Sequence, residues 1–261
     1  MIIAYHRPAS MDEALALMNR TDPETVPLGG GTVLSRPGPG RYAVVDLQAL
    51  GLNTIERQGE TLVIGAAATL QDLYARVEIQ EALREAIRRE TTYNLRQSAS
   101  VAGALVSADG KSPFAAAMLA LGAVVVWAPD GRETTLTQYF GGVSARPRGL
   151  ILRVAIPVDA LLRYEAVAKT PADVPMLCGA VGRLASGVEN VVLGGIGAAP
   201  VLVSSQTGSL GGIDLASAVE NVFNNAYSQY GNQISSNFDY LKTTSAILLR
   251  RLTGSMPGRA G

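Results

Sequence analysis

One cysteine, Cys178, and one histidine, His6, are all that 261 residues supply of the two side chains that most often bind metals or attack substrates. A single cysteine excludes an internal disulfide and a four-thiolate iron–sulfur cluster within this chain, and it fits a reducing compartment. A single histidine near the terminus speaks against a Ser-His-Asp triad and against a multi-histidine metal site. Redox chemistry here would therefore need an organic cofactor. Long apolar runs are also missing: the longest, Ala115 to Ala128, falls short of the ~18 residues of a membrane span. Neither sign of charge is in excess, with 22 basic and 22 acidic residues, so nothing points to nucleic acid. The opening Met1 to Pro8 has no basic flank followed by an apolar stretch, so no signal peptide is expected and the expected location is cytoplasmic.

What is present is apolar material for a real core, 48% of the chain, enough for one large domain or two or three small ones. Ser10-Met11-Asp12-Glu13 reads as a capping box opening a helix over 10–20. Strands are expected at 25–28, 42–47 and 61–67, with Thr69 opening a helix and another helix at 79–90. Residues 91–112, crowded with Ser, Gly and Ala, read as irregular. A helix at 113–121 carries proline in its first turn, and strands follow at 122–128 and 150–156. Beyond Pro157 the pattern changes to three strands, 162–169, 176–186 and 188–195, then helices at 213–223 and 234–252 and a frayed tail. The fold class is α+β.

Three segments are rich in glycine. Pro27-Leu28-Gly29-Gly30-Gly31-Thr32-Val33-Leu34 runs from a strand into three glycines and a hydroxyl. Without Cβ atoms, successive N–H groups can turn toward one anion, which is the chemistry of a pyrophosphate cradle; a flexible turn is the alternative. The second segment joins Ser100-Val101-Ala102-Gly103-Ala104-Leu105 to Ser107-Ala108-Asp109-Gly110-Lys111-Ser112. Its Gly-Lys-Ser lacks the earlier glycine of a P-loop, since that position holds Leu105, and Pro113 follows at once. Asp109 and Lys111 read locally as a solvated pair. The third, Gly194-Gly195-Ile196-Gly197-Ala198-Ala199-Pro200, lacks a following helix and reads as a structural turn.

Taken in order, these segments resemble a family. Arg7-Pro8-Ala9-Ser10-Met11-Asp12-Glu13-Ala14, Gly29-Gly30-Gly31-Thr32, Val45-Asp46-Leu47, Leu62 to Leu70, Leu95-Arg96-Gln97-Ser98-Ala99-Ser100-Val101-Ala102-Gly103-Ala104 and Leu119 to Ala123 are similar to the FAD-carrying medium subunits of molybdenum hydroxylases. That group includes carbon monoxide dehydrogenase and xanthine dehydrogenase. Leu193 to Pro200 and the helix at 234–252 extend the likeness over most of the chain.

The resemblance implies a vanillyl-alcohol-oxidase-type (PCMH-type) FAD-binding fold with a C-terminal antiparallel sheet plus helices. FAD would lie between subdomains 1–57 and 58–158, covered by a third at 159–261. It places Gly29, Gly30, Gly31, Thr32, Val33, Ser100, Val101, Gly103 and Asp109 at the cofactor, with Lys169 as a cation near the flavin ring. It implies partners as well: an iron–sulfur small subunit with two 2Fe–2S clusters and a large subunit with the molybdopterin cofactor, commonly as a dimer of heterotrimers. Electrons would pass through FAD to an external acceptor, and no residue here would act as acid, base or nucleophile. Three positions depart from the family pattern: Ala102 replaces a glycine, Ala104 an asparagine, and Pro113 aligns with an acidic residue. They raise an alternative, a structural subunit that keeps the fold without FAD.

Overall fold

The computed structural model describes residues 1–36, 38, 40–141, 149–170, 173–207, 214–230, 238–254 and 256. Parts of the expected helices at 213–223 and 234–252, and most of the tail, lie outside the described residues.

The chain opens with β1 (Ile2–His6), α1 (Met11–Met18), β2 (Thr25–Leu28) and β3 (Tyr42–Asp46). Ser10 starts α1 as its sequence predicts: Ser10 Oγ accepts from Glu13 N at 3.3 Å, and Glu13 Oε2 accepts from Ala9 N at 3.0 Å. Ala14 and Leu17 then fall on the buried side of α1 and pack with Val45 and Leu47. The strands form a parallel sheet in the order β1-β3-β2. Parallel strands finish at one edge, so the segments after His6, Leu28 and Asp46 all leave on the same side, where open parallel sheets bind ligands.

Next come β4 (Ile55–Gln58), β5 (Thr61–Gly65), α2 (Leu70–Tyr74), α3 (Glu81–Glu90), α4 (Tyr93–Arg96), α5 (Val101–Val106), α6 (Pro113–Ala120), β6 (Val124–Trp127), β7 (Glu133–Thr135), α7 (Leu136–Phe140) and β8 (Ile151–Pro157). The strands form an antiparallel sheet ordered β4-β5-β8-β6-β7. β4 starts ahead of residue 58 yet belongs to this sheet. The stretch 91–112, expected to be irregular, holds α4 and α5.

The last part is β9 (Leu161–Val167), β10 (Leu177–Arg183), β11 (Val188–Gly194), β12 (Val201–Thr207), α8 (Leu215–Tyr230) and α9 (Phe238–Gly254). The strands pair in antiparallel order β12-β11-β10-β9. β10 is buried on both faces, which is why it reads as continuous small and apolar residues. Leu177 and Val181 pack with Leu248, Leu249 and Leu252 of α9. Cys178 and Ala180 face the opposite way, into the core that contains α6. All eight residues of α6 are buried, in a core that also holds residues of both antiparallel sheets. Gly182 permits the close approach, since a Cβ there would fall on the Ala120 carbonyl. Asn190 completes the contact by donating Nδ2–H to Ala120 O at 3.1 Å. Among the described residues no helix is long and apolar enough to cross a membrane.

Candidate functional site

β2 ends at Leu28, paired with Asp46, and the chain turns off the carboxyl edge of the sheet into Gly29. Gly31 has φ +70, the left-handed region that glycine enters without Cβ strain. The turn is closed by carbonyls acting as acceptors: Ser35 N donates to Gly31 O at 3.0 Å, and Arg36 N to Val33 O at 3.1 Å. By contrast, the N–H groups from Gly29 to Leu34 have no acceptor among the described residues. Thr32 likewise adds an uncommitted hydroxyl, and Val33 is exposed. A run of unused backbone donors at the carboxyl end of a parallel strand is the chemistry that an anion-binding site requires.

The second loop comes to the first. A Cβ on Gly30 would fall on the Ser98 carbonyl, and one on Gly29 would collide with Ser100 Oγ. Ser98 to Ser100 is held from behind by bonds from Leu70 N to Ala99 O and from Val101 N to Ala68 O, each 2.8 Å. Ser100 is buried and caps α5, its Oγ accepting from Gly103 N at 3.2 Å. The Gly103 N–H is therefore committed within the protein, while the Ser100 hydroxyl proton has no acceptor among the described residues. Val101 serves the core, fully buried. The methyls of Ala102 and Ala104 lie in the same core, away from solvent.

Electrostatics favour an anion here. No acidic residue occurs in Gly29 to Arg36 or in Gln97 to Ala108. The carboxylate at this sheet edge, Asp46, is buried and already engaged. Its Oδ1 accepts from Gln48 N at 2.9 Å, and its Oδ2 accepts from the Tyr5 hydroxyl and lies 3.9 Å from Arg7 Nε. That hydrogen bond to Asp46 pushes the Tyr5 hydroxyl above its ordinary pKa. Uncommitted N–H groups, free hydroxyls and the lack of competing carboxylates fit a pyrophosphate.

The other expected residues sit elsewhere. Asp109 is exposed between α5 and α6, its Oδ1 accepting from Lys111 N at 2.8 Å. Gly110 packs so closely on Gly197 that a Cβ would strike its carbonyl. The glycine of the Gly-Lys-Ser triplet thus serves packing, and the third glycine segment connects β11 to β12. Lys169 is exposed just past β9, with no ion pair among the described residues. Cys178 is buried, and desolvation pushes its thiol to about 12, so no thiolate forms at neutral pH.

Two charged groups, Glu90 half-buried and Arg96 buried, escaped the sequence reading. Glu90 Oε2 accepts from Ser112 Oγ at 2.8 Å and from Phe114 N at 3.0 Å, placing a carboxylate at the start of α6 where Pro113 supplies none. Arg96 is 8% exposed and lies between two rings, its guanidinium 5.1 Å from the Tyr74 centroid and 5.7 Å from that of Tyr93. The spacing of Tyr93 and Arg96, one helical turn apart, was the available signal.

A family described as the FAD binding domain in molybdopterin dehydrogenase matches residues 1–159. The "Uncharacterized protein YgfM" of Escherichia coli (strain K12) is 28% identical over 173 residues, 66% of this chain. The chain spans 61% of that protein's length. The carbon monoxide dehydrogenase medium chain of Afipia carboxidovorans is 29% identical over 201 residues, covering 70% of this chain and 69% of that one. Among solved structures, a chain of quinoline 2-oxidoreductase from Pseudomonas putida 86 superposes with TM-score 0.74 at 19% identity, over 97% of this chain and 96% of that one. The likeness in fold agrees with the expected PCMH-type α+β architecture.

Proposed function

Because the chain belongs to the family of FAD binding domains in molybdopterin dehydrogenases, we propose that it holds FAD as the electron-transferring medium subunit of a molybdenum hydroxylase complex. The single observation that carries this reading is the pair of abutting loops, with unused N–H donors from Gly29 to Leu34 on the first and no acidic residue on the second. Gly29, Gly30, Gly31 and Thr32 bind the pyrophosphate through backbone N–H groups, and the Thr32 and Ser100 hydroxyls donate to it. Val33 and Gly103, both exposed, flank this cradle, whereas Val101 serves the core and Asp109 lies away from it. Bound FAD supplies the electron chemistry, accepting two electrons and releasing them singly or in a pair. The protein supplies position and fixed dipoles, at no reorganisation cost during transfer. The inward methyls of Ala102 and Ala104 favour this reading over a subunit that has lost FAD, since neither occupies the loop surface.

With one cysteine and no metal cluster among the described residues, the 2Fe–2S clusters and molybdopterin of this reading belong to partner chains. Electrons enter from an iron–sulfur subunit and leave to an external acceptor, in the cytoplasm, in a dimer of heterotrimers. The visible spectrum of the full chain, purified and incubated with FAD, tests the reading. A yellow protein that retains oxidised flavin through gel filtration is expected. A colourless protein would defeat it.

Lys169 is assigned to the flavin ring, where a positive charge would stabilise the reduced, anionic form. Lys169→Met should then lower the flavin midpoint potential by about 30 mV, the equivalent of roughly 1.4 kcal/mol for a two-electron couple. An unmoved potential removes Lys169 from the site.

A further inference from the structure

Arg96 is a buried cation without a carboxylate partner among the described residues. Such a charge is costly to withdraw from water unless something compensates it. Here the compensation is the rings of Tyr74 and Tyr93 and one hydrogen bond, from Arg96 Nε to Gln71 Oε1 at 3.3 Å. Gln71 and Tyr74 belong to α2, while Tyr93 and Arg96 belong to α4. The guanidinium therefore ties α2 to α4. The very next residues, Gln97 to Ser100, form the loop whose Ser98 carbonyl abuts Gly30 and whose Ser100 Oγ abuts Gly29. That loop is joined to the start of α2 a second time, through the Leu70 N to Ala99 O bond. α4 is only a four-residue turn, too short to hold itself in place by its own hydrogen bonds.

We infer that Arg96, gripped between Tyr74 and Tyr93, is a positioning residue for FAD: it fixes α4, and through it the Ser98–Ser100 wall against which the Gly29–Thr32 donors are aligned. This rests on the FAD reading above. The role belongs to the flat guanidinium, which lies over both rings and still bonds Gln71. A lysine keeps the charge on the rings and loses the plane.

The test titrates FAD into the full apo chain, following quenching of flavin fluorescence, with urea unfolding of each apo variant alongside. Arg96→Met is expected to weaken FAD binding about tenfold or more, and Arg96→Lys to recover at least half of that loss on a logarithmic scale. Tyr93 is 62% exposed, so Tyr93→Ala leaves the fold intact and frees one face of the guanidinium. It should weaken FAD binding about threefold to fivefold, while Tyr93→Phe, which keeps the ring, matches the wild type. If Arg96→Met does not fold, the Tyr93 pair decides. Wild-type affinity in Tyr93→Ala and in any folded Arg96→Met overturns the inference, as does a loss in Tyr93→Phe equal to that in Tyr93→Ala. A wild-type chain that binds no FAD defeats the FAD reading itself, and the inference with it.

Discussion

Gly31→Asp is expected to give a folded chain that has lost its FAD. Gly31 sits at φ +70, where aspartate is among the few side chains found with some frequency. A Cβ there meets Ser35 Oγ at 3.2 Å and Leu28 Cδ1 at 3.5 Å, both side-chain ends that can yield. The cost to folding is then the left-handed backbone itself, about 1–2 kcal/mol. The cost to FAD is larger, because the new carboxylate sits among donors that would otherwise face a doubly charged pyrophosphate. Like charges brought together in a binding site cost several kcal/mol, and ~3 kcal/mol is roughly a hundredfold in Kd. Gly31→Asn has the same shape and tolerates the same backbone, so it should keep most of the flavin. The flavin-to-protein ratio after gel filtration reads the difference. If the Asp and Asn variants retain equal flavin, the pyrophosphate does not lie on this loop. Gly30→Val would be a poorer choice, since its side chain would drive into the Ser98 carbonyl and separate the two loops whatever the ligand.

The features legible in the sequence were those with local causes. Ser10 and Glu13 cap α1 because the chain there needs nothing from elsewhere. β10 was readable because burial on both faces leaves an unbroken small and apolar run. The strand running into three glycines was readable, since β2 ends at Leu28. Elements held by distant partners were not. β1 shows no alternation, being largely exposed, and forms because β3 pairs with it in parallel. α5 contains Gly103, a poor helix former, and exists because Ser100 caps it and Val101, Ala102, Ala104 and Leu105 reach the core. β12 is half polar and takes its place at the sheet edge beside β11. In the sequence, Gly29 to Thr32 and the facing Ser100 to Gly103 were expected at one site, but Ser98 and Arg96 were not. Ser98 and Arg96 acquire their roles only when α2, α4 and the first loop meet.

Glu90→Ala is expected to destabilise the chain strongly. Glu90 closes α3, and its carboxyl serves a different helix, accepting from Ser112 Oγ and Phe114 N at the start of α6. α6 is wholly buried, and both donors that Glu90 serves, on Ser112 and Phe114, are buried as well. Leaving a buried donor unsatisfied costs about 1–3 kcal/mol each, and two donors lose their partner here. A loss of about 3 kcal/mol in the unfolding free energy follows, read from urea midpoints. Glu90→Gln keeps the carbonyl acceptor and should lose less. Their pH dependence separates charge from shape. Burial raises the Glu90 carboxyl above its reference value of 4.5, outweighing the bonds from Phe114 and Ser112, and the charge of Asp109 adds to the rise. The folded state thus holds the proton more tightly than the unfolded chain. Its contribution is fully present below about 4.5 and is lost as pH rises through the elevated folded value. Glutamine does not titrate, so the stability of the wild type relative to Glu90→Gln should decline from acid toward neutral pH. A difference that stayed flat, or grew with pH, would mean that the carboxylate is better solvated than its contacts with Ser112 and Phe114 imply.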